Sequence, residues 1–240
     1  MKNIYTNSSK TYMSIVEHLE ELRGRLFIAC SIFCIITTVC LIYIKNISYI
    51  VQRPALGIKF LQLAPGEYLF VSIKIALYAG FIFSIPFIIY QVVLFILPGL
   101  THKEILYIIP ILIASIILFF TGIFFSYIMI IPAALNFLIN YGSDIIEPIW
   151  SFEEYFNFIF LLSLSSGIAF QVPIIQILLG IFNIISSNKM LKYWKYIIFI
   201  CTIAGAIITP STDPITQIIM TLALLILYIS GIVILKLLNK

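Results

Sequence analysis

The sequence predicts an all-α membrane protein with six transmembrane helices, and three observations predict it. Hydrophobic residues make up 62% of the 240 residues, where soluble domains carry roughly 45–50%. Charged residues are 10%, against roughly 25% in globular chains, too few to cover a soluble surface. The apolar residues are also gathered into six stretches close to the roughly 20 residues that cross the hydrocarbon core. This composition excludes a soluble enzyme, a disordered chain and a nucleic-acid binder, despite the net charge of +4. A β-barrel is excluded as well, because runs such as IPILIASIILFF lack the alternation its strands require.

The elements follow in order. Residues 1–25 form a polar tail. Within it Ser14-Ile-Val-Glu17 reads as a capping box, with Ser at N-cap and Glu three residues on. Ile15, Leu19, Leu22 and Leu26 then make one apolar stripe, and Glu17, Glu20, Glu21, Arg23 and Arg25 lie opposite. That is an amphipathic helix at a membrane surface, leading into the first span. Glu21 and Arg25 are four residues apart, in the order that favours pairing. The spans are expected at about 26–44, 69–97, 105–131, 155–180, 195–209 and 215–235 in a single polytopic domain, with Pro86, Pro110 and Pro173 inside the second, third and fourth. No cleavable leader is expected, because about 25 polar residues precede the first span. At about 1.5 Å per residue the fifth span reaches only about 22 Å. Either the bilayer thins there, or spans five and six form a re-entrant hairpin around Thr209-Pro210.

Charge placement sets the orientation. With the N-terminus inside, the inside segments hold Lys2, Lys10, Arg23, Arg25, Lys103, Lys189, Lys192, Lys195, Lys236 and Lys240. Outside segments hold Lys45, Arg53 and Lys59, and Lys74 lies within the second span. The excess of inside Lys and Arg places both termini on the cytoplasmic or stromal side. Lys74 is expected to snorkel outward or to pair with Glu67. The four cysteines fall inside spans, where Cys acts as a small apolar residue. With His18 and His102 both in loops, neither a haem nor a metal is expected, and no cofactor is implied. A membrane enzyme would need ionisable or nucleophilic pairs in the spans, and none is present. A small-solute transporter of the same topology is the alternative class, but it usually carries ionisable groups at the midplane, where this chain has only the neutral Gln171.

One resemblance carries the functional reading further. His18-Leu19-Glu20-Glu21-Leu22-Arg23-Gly24-Arg25-Leu26 resembles the opening signature of the TatC family, the large membrane subunit of the twin-arginine protein translocase. Pro86-Phe87-Ile88-Ile89-Tyr90-Gln91 with Phe95, Pro98-Gly99-Leu100 and Lys103-Glu104 resembles its second span and first inside loop. Phe119, Phe125 and Tyr127 before Pro132, Phe170-Gln171-Val172-Pro173, and Thr209-Pro210 with Asp213 continue the likeness in order. The resemblance implies a concave, glove-like bundle. It also implies a receptor for twin-arginine signal peptides of folded precursors and the core of a translocase driven by the proton-motive force. Its partners would be the lipid bilayer, single-span subunits of the TatA and TatB type, and further copies of the chain.

Two adjacent arginines need at least two carboxylates, since each guanidinium prefers a planar bidentate partner. The inside acids are Glu17, Glu20, Glu21 and Glu104. By resemblance Glu21 and Glu104 form the clamp, Glu20 is a third candidate, Arg23 orients the carboxylates or holds the loop, and Phe95 helps to dock the peptide. Glu104 as a solvated loop charge and Phe95 as a lipid-facing ring are the plainer readings. Many relatives carry Glu where Gln171 stands. Gln cannot ionise, so this position either contacts a partner helix or packs within the chain. Ser163, Ser165, Ser166 and Gly167 would let another helix approach closely. Asp213 is either a contact needed for translocation or a turn former before Pro214. Pro54 matches a proline that shapes the outside cap. A composition rich in Ile, Asn and Lys favours a plastid-encoded thylakoid protein, with a bacterial plasma membrane as the alternative.

Overall fold

The computed structural model describes residues 15–55, 58–62, 64–96, 102–141, 149–182, 184–209 and 213–238, with the backbone alone for residues 15 and 102–106. Helix α1 (Ile15–Ile42) runs through the polar segment and the first span without a break. Gly24 is the weakest helix former in that stretch, and a single Gly costs a helix only about 1 kcal/mol. A short α2 (Ile44–Gln52) and a 3-10 turn (Arg53–Ala55) lead to β1 (Lys59–Leu61). The long α3 (Glu67–Ile96) carries Pro86, and α4 (His102–Phe125) carries Pro110. Then come α5 (Ile131–Asn140), β2 (Ile149–Ser151), α6 (Phe152–Ala169) and α7 (Val172–Ile181). The chain closes with α8 (Ser187–Lys192), α9 (Trp194–Ile208) and α10 (Pro214–Leu237).

Five helical stretches are long and apolar enough to span a membrane, and α9 is the sixth, shorter one. The fold class is the expected all-α membrane bundle. Three local features depart from regular helices. The third stretch extends to Asn140 through a π-helical turn, Ser126–Ile130. There Ile131 N donates to Ser126 O, five residues back, just before Pro132, which has no N–H to offer the usual carbonyl. The fourth stretch breaks at Phe170–Gln171, ahead of Pro173. The third feature, which sequence pattern did not predict, is a small parallel ladder in which Lys59, Phe60 and Leu61 pair with Ile149, Trp150 and Ser151.

The fourth stretch is the centre of the bundle: 44% of its 18-residue apolar window is buried, against 11% of the same window in each of the first two. The main core gathers Ile130, Ile131, Leu135, Tyr155, Ile159, Leu162, Met220 and Leu224 from the π turn, α5, α6 and α10. Helix α1 packs along α3, α4 along α6, and α10 along both α7 and α9. Where these helices cross, backbones approach closely. A Cβ on Gly80 would lie 2.2 Å from Thr37 Oγ1, and one on Gly122 would lie 2.8 Å from Ser166 O. Small residues at such crossings let membrane helices gain dispersion contacts that lipid cannot supply.

Candidate functional site

The inside ends of α1 and α3 meet at a group of four side chains. His18 of α1 stacks on Phe95 of α3, with ring centroids 4.1 Å apart and planes 14° from parallel. One turn on, Glu21 faces Arg25. Arg25 Nε donates to Glu21 Oε1 at 2.9 Å, and Nη2 donates to the same oxygen. The other carboxylate oxygen, Oε2, is buried and has no hydrogen-bond partner among the described residues. His18 Nδ1 lies 3.8 Å from it, too far for a hydrogen bond. Helical spacing accounts for the local part, because residues three and four apart share a face. The α1–α3 packing accounts for the rest, bringing Phe95 to that face.

The other predicted inside residues are placed differently. Glu20 and Arg23 are exposed and point away from the Glu21–Arg25 pair around the helix. Glu104 lies in the first turn of α4, where the helix dipole favours a carboxylate; its side chain lies outside the described residues, as do Leu97, Pro98, Gly99 and Leu100. Sequence places His18 in a loop and does not single it out, but it lies within α1, as His102 opens α4. His18 stands three residues before Glu21, which was a legible signal, but the stack on Phe95 joins positions far apart in the chain and was not.

Within the fourth stretch, Gln171 sits in the break between α6 and α7. Its Oε1 accepts from Ser115 Oγ at 2.6 Å, and its Nε2 donates to Ser115 O at 3.1 Å. The amide therefore ties the fourth stretch to α4 and keeps one N–H and one lone pair for a further partner. Nearby, Ser166 Oγ donates to Gly122 O at 2.9 Å, and Gly167 packs against the Phe119 ring. These two small residues are occupied by the chain's own α4.

On the outside, the expected partners of Lys74 need correcting. Lys74 pairs with Glu153 in the first turn of α6 rather than with Glu67 or solvent alone. Glu67 is instead buried at the start of α3, accepting from Ala64 N at 3.2 Å and from Ser151 Oγ at 3.1 Å. These contacts hold β2 and the top of α6 against α3. Pro54 stands in the 3-10 turn after α2, beside Val51, whose carbonyl accepts from Tyr155 Oη at 2.7 Å. Asp213 is 1% exposed and caps α10. Its Oδ2 accepts from Thr216 N at 2.8 Å and its Oδ1 from Thr216 Oγ1 at 2.5 Å. A cleft of about 300 Å³ on this side is lined by Gln52, Phe60, Gln62, Glu67, Tyr68 and Phe152. No group of three His, Cys, Asp or Glu residues is placed to hold a metal among the described residues.

Comparison with known proteins adds a family to this geometry. Residues 17–222 match the family described as TatC, Sec-independent protein translocase protein. The chain is 70% identical over 230 residues to the tatC-like protein ycf43 of Gracilaria tenuistipitata var. liui, covering 96% of this chain and 97% of the relative. It is 43% identical to the chloroplastic Sec-independent protein translocase protein TATC of Pisum sativum, over 95% of this chain and 65% of that one. In structure it is similar to the crystal structure of the twin arginine translocase receptor TatC, with a TM-score of 0.77 and 36% identity, covering 93% of this chain and all of that one.

Proposed function

This chain belongs to the TatC family of Sec-independent protein translocase subunits, and we propose that it is the receptor for twin-arginine signal peptides within such a translocase. It is a multi-pass integral membrane protein of a thylakoid or plasma membrane, and as a translocase component it belongs to a transport family rather than an enzyme family. The observation that carries the reading is the meeting of Glu21, His18 and Phe95 where α1 and α3 end on the inside, with Glu104 following in the first turn of α4. Two carboxylates near that edge suit two adjacent guanidinium groups, and the stacked rings offer an apolar shelf for the residues that follow. Glu20 and Arg23, exposed on the same helix, are the second rank of this site. The apolar part of the peptide then lies along the exposed apolar sides of α1 and α3.

Movement of a folded precursor would follow assembly with single-span TatA- and TatB-type partners and with further copies of this chain, driven by the proton-motive force. Gln171 offers its remaining N–H and lone pair to a partner helix, and Pro54 and Asp213 shape the outside cap over which the cargo leaves. The test uses photo-cross-linkers placed beside Glu21 and Glu104. A peptide with two arginines is captured from both positions and a two-lysine peptide from neither, and Glu21→Ala or Glu104→Ala abolishes the capture. Undiminished cross-linking of the two-arginine peptide to either variant overturns the assignment.

A further inference from the structure

We propose that Arg25 is a specificity-determining residue of this site: it occupies Glu21 in the resting chain, and only an incoming guanidinium displaces it. The inference rests on the signal-peptide reading above and names what sets its selectivity. Three features carry it. Arg25 directs two donors, Nε at 2.9 Å and Nη2, at a single oxygen, Glu21 Oε1. Glu21 Oε2 is buried and has no donor among the described residues. His18 stands beside Oε2 but is held in a stack on Phe95, with Nδ1 3.8 Å away. One oxygen is taken and the other is walled off, so the carboxylate is closed to a ligand.

That closed state is poised rather than satisfied. A buried charged oxygen without a donor is unfavourable, and this one gains from any ligand that reaches it. An arginine of the peptide is such a ligand. Its planar fork replaces the two donors of Arg25 at Oε1 and also covers Oε2, giving the two-oxygen pairing that suits guanidinium and carboxylate. The pair that breaks and the pair that forms are both guanidinium with carboxylate, so the additional Oε2 bond tips the balance. A lysine offers a single ammonium on a flexible stem. It would break a two-donor pairing to make a point contact, and it leaves Oε2 as it was. Arg25 thus sets a threshold that a guanidinium passes and an ammonium does not. Once released, Arg25 extends its long stem toward the aqueous edge of α1, where it is already partly exposed.

The experiment measures binding of fluorescent peptides carrying two arginines or two lysines to the full chain in lipid nanodiscs, for the wild type, Arg25→Lys and Arg25→Gln. Arg25→Lys keeps the inside charge that orients α1 and weakens only the grip on Glu21. The expected result is that Arg25→Lys binds the two-arginine peptide at least as tightly as the wild type. The two-lysine peptide gains more, so the ratio of the two affinities falls about tenfold, the equivalent of about 1.4 kcal/mol. Arg25→Gln moves the ratio the same way. A variant that weakens both peptides in parallel, with the ratio unchanged, overturns the proposal and makes Arg25 a support that merely orients Glu21. A wild type with no preference for arginine overturns the receptor reading itself, a separate outcome visible before any variant is compared.

Discussion

Asp213 illustrates how much a single side chain can hold. It is almost fully buried, and both of its oxygens are engaged by Thr216, so it supplies an acceptor to the first turn of α10, where backbone N–H groups have no helical partner. Losing such a cap costs about 0.5–2 kcal/mol. Asp213→Ala is therefore expected to lower the unfolding temperature of the detergent-solubilised protein, whereas Asp213→Asn, which keeps a capping oxygen, holds most of it. A loss of transport in Asp213→Asn with an unchanged unfolding temperature would assign the carboxylate charge a role beyond capping. Sequence left the turn-forming and contact readings of Asp213 open; its burial and its Thr216 bonds establish the cap. Glu21 was legible differently. Its pairing with Arg25 follows from spacing alone, but the unpartnered Oε2 depends on the approach of α3, which no local pattern encodes.

Between elements, two kinds of contact join the spans, and their magnitudes differ. A hydrogen bond between membrane helices contributes on average about 0.6 kcal/mol, so Ser115→Ala, which removes one of the two bonds to Gln171, is expected to be mild. Steric contact is stricter. A Cβ at position 80 would sit 2.2 Å from Thr37 Oγ1 and 2.9 Å from Thr37 Cα. The hydroxyl can rotate away, but the backbone atom cannot, so Gly80→Ala must push α3 off α1. Overpacking of this kind costs roughly 1–3 kcal/mol. Thermal unfolding in detergent should thus fall more for Gly80→Ala than for Ser115→Ala, and the reverse order would show that the polar tie between α4 and the α6–α7 break outweighs the close α1–α3 packing. Helix existence and type were readable from apolar runs, because backbone groups in lipid must pair internally. The break at Gln171, the π turn and the β1–β2 ladder were not, since each depends on which neighbour is present to take up displaced backbone groups.

Across the whole molecule, the distribution of basic residues and the short α9 make one linked argument. Helix α9 has 15 residues, about 22 Å at 1.5 Å per residue, short of a hydrocarbon core of about 30 Å. Only Cys201 and Gly205 of α9 are buried, so little of its surface is held by the bundle. Its place as a span therefore leans on α10, against which Gly205 fits so closely that a Cβ would lie 2.6 Å from Thr221 Oγ1, and on the charges before it. Lys189, Lys192 and Lys195 stand at its inside end, where Lys resists translocation. With all three changed to Gln, the orienting charge on that side is lost, and a share of the chains is expected to leave the α9–α10 pair uninserted. Ile215, exposed in the first turn of α10, reports this directly. In a cysteine-free background, Ile215→Cys should react with a membrane-impermeant maleimide added from the outside in the wild-type charge background. In the triple Lys→Gln background, part of the label should instead enter from the inside. Labelling from the outside alone in both backgrounds would mean that α10 packing by itself carries the short helix across.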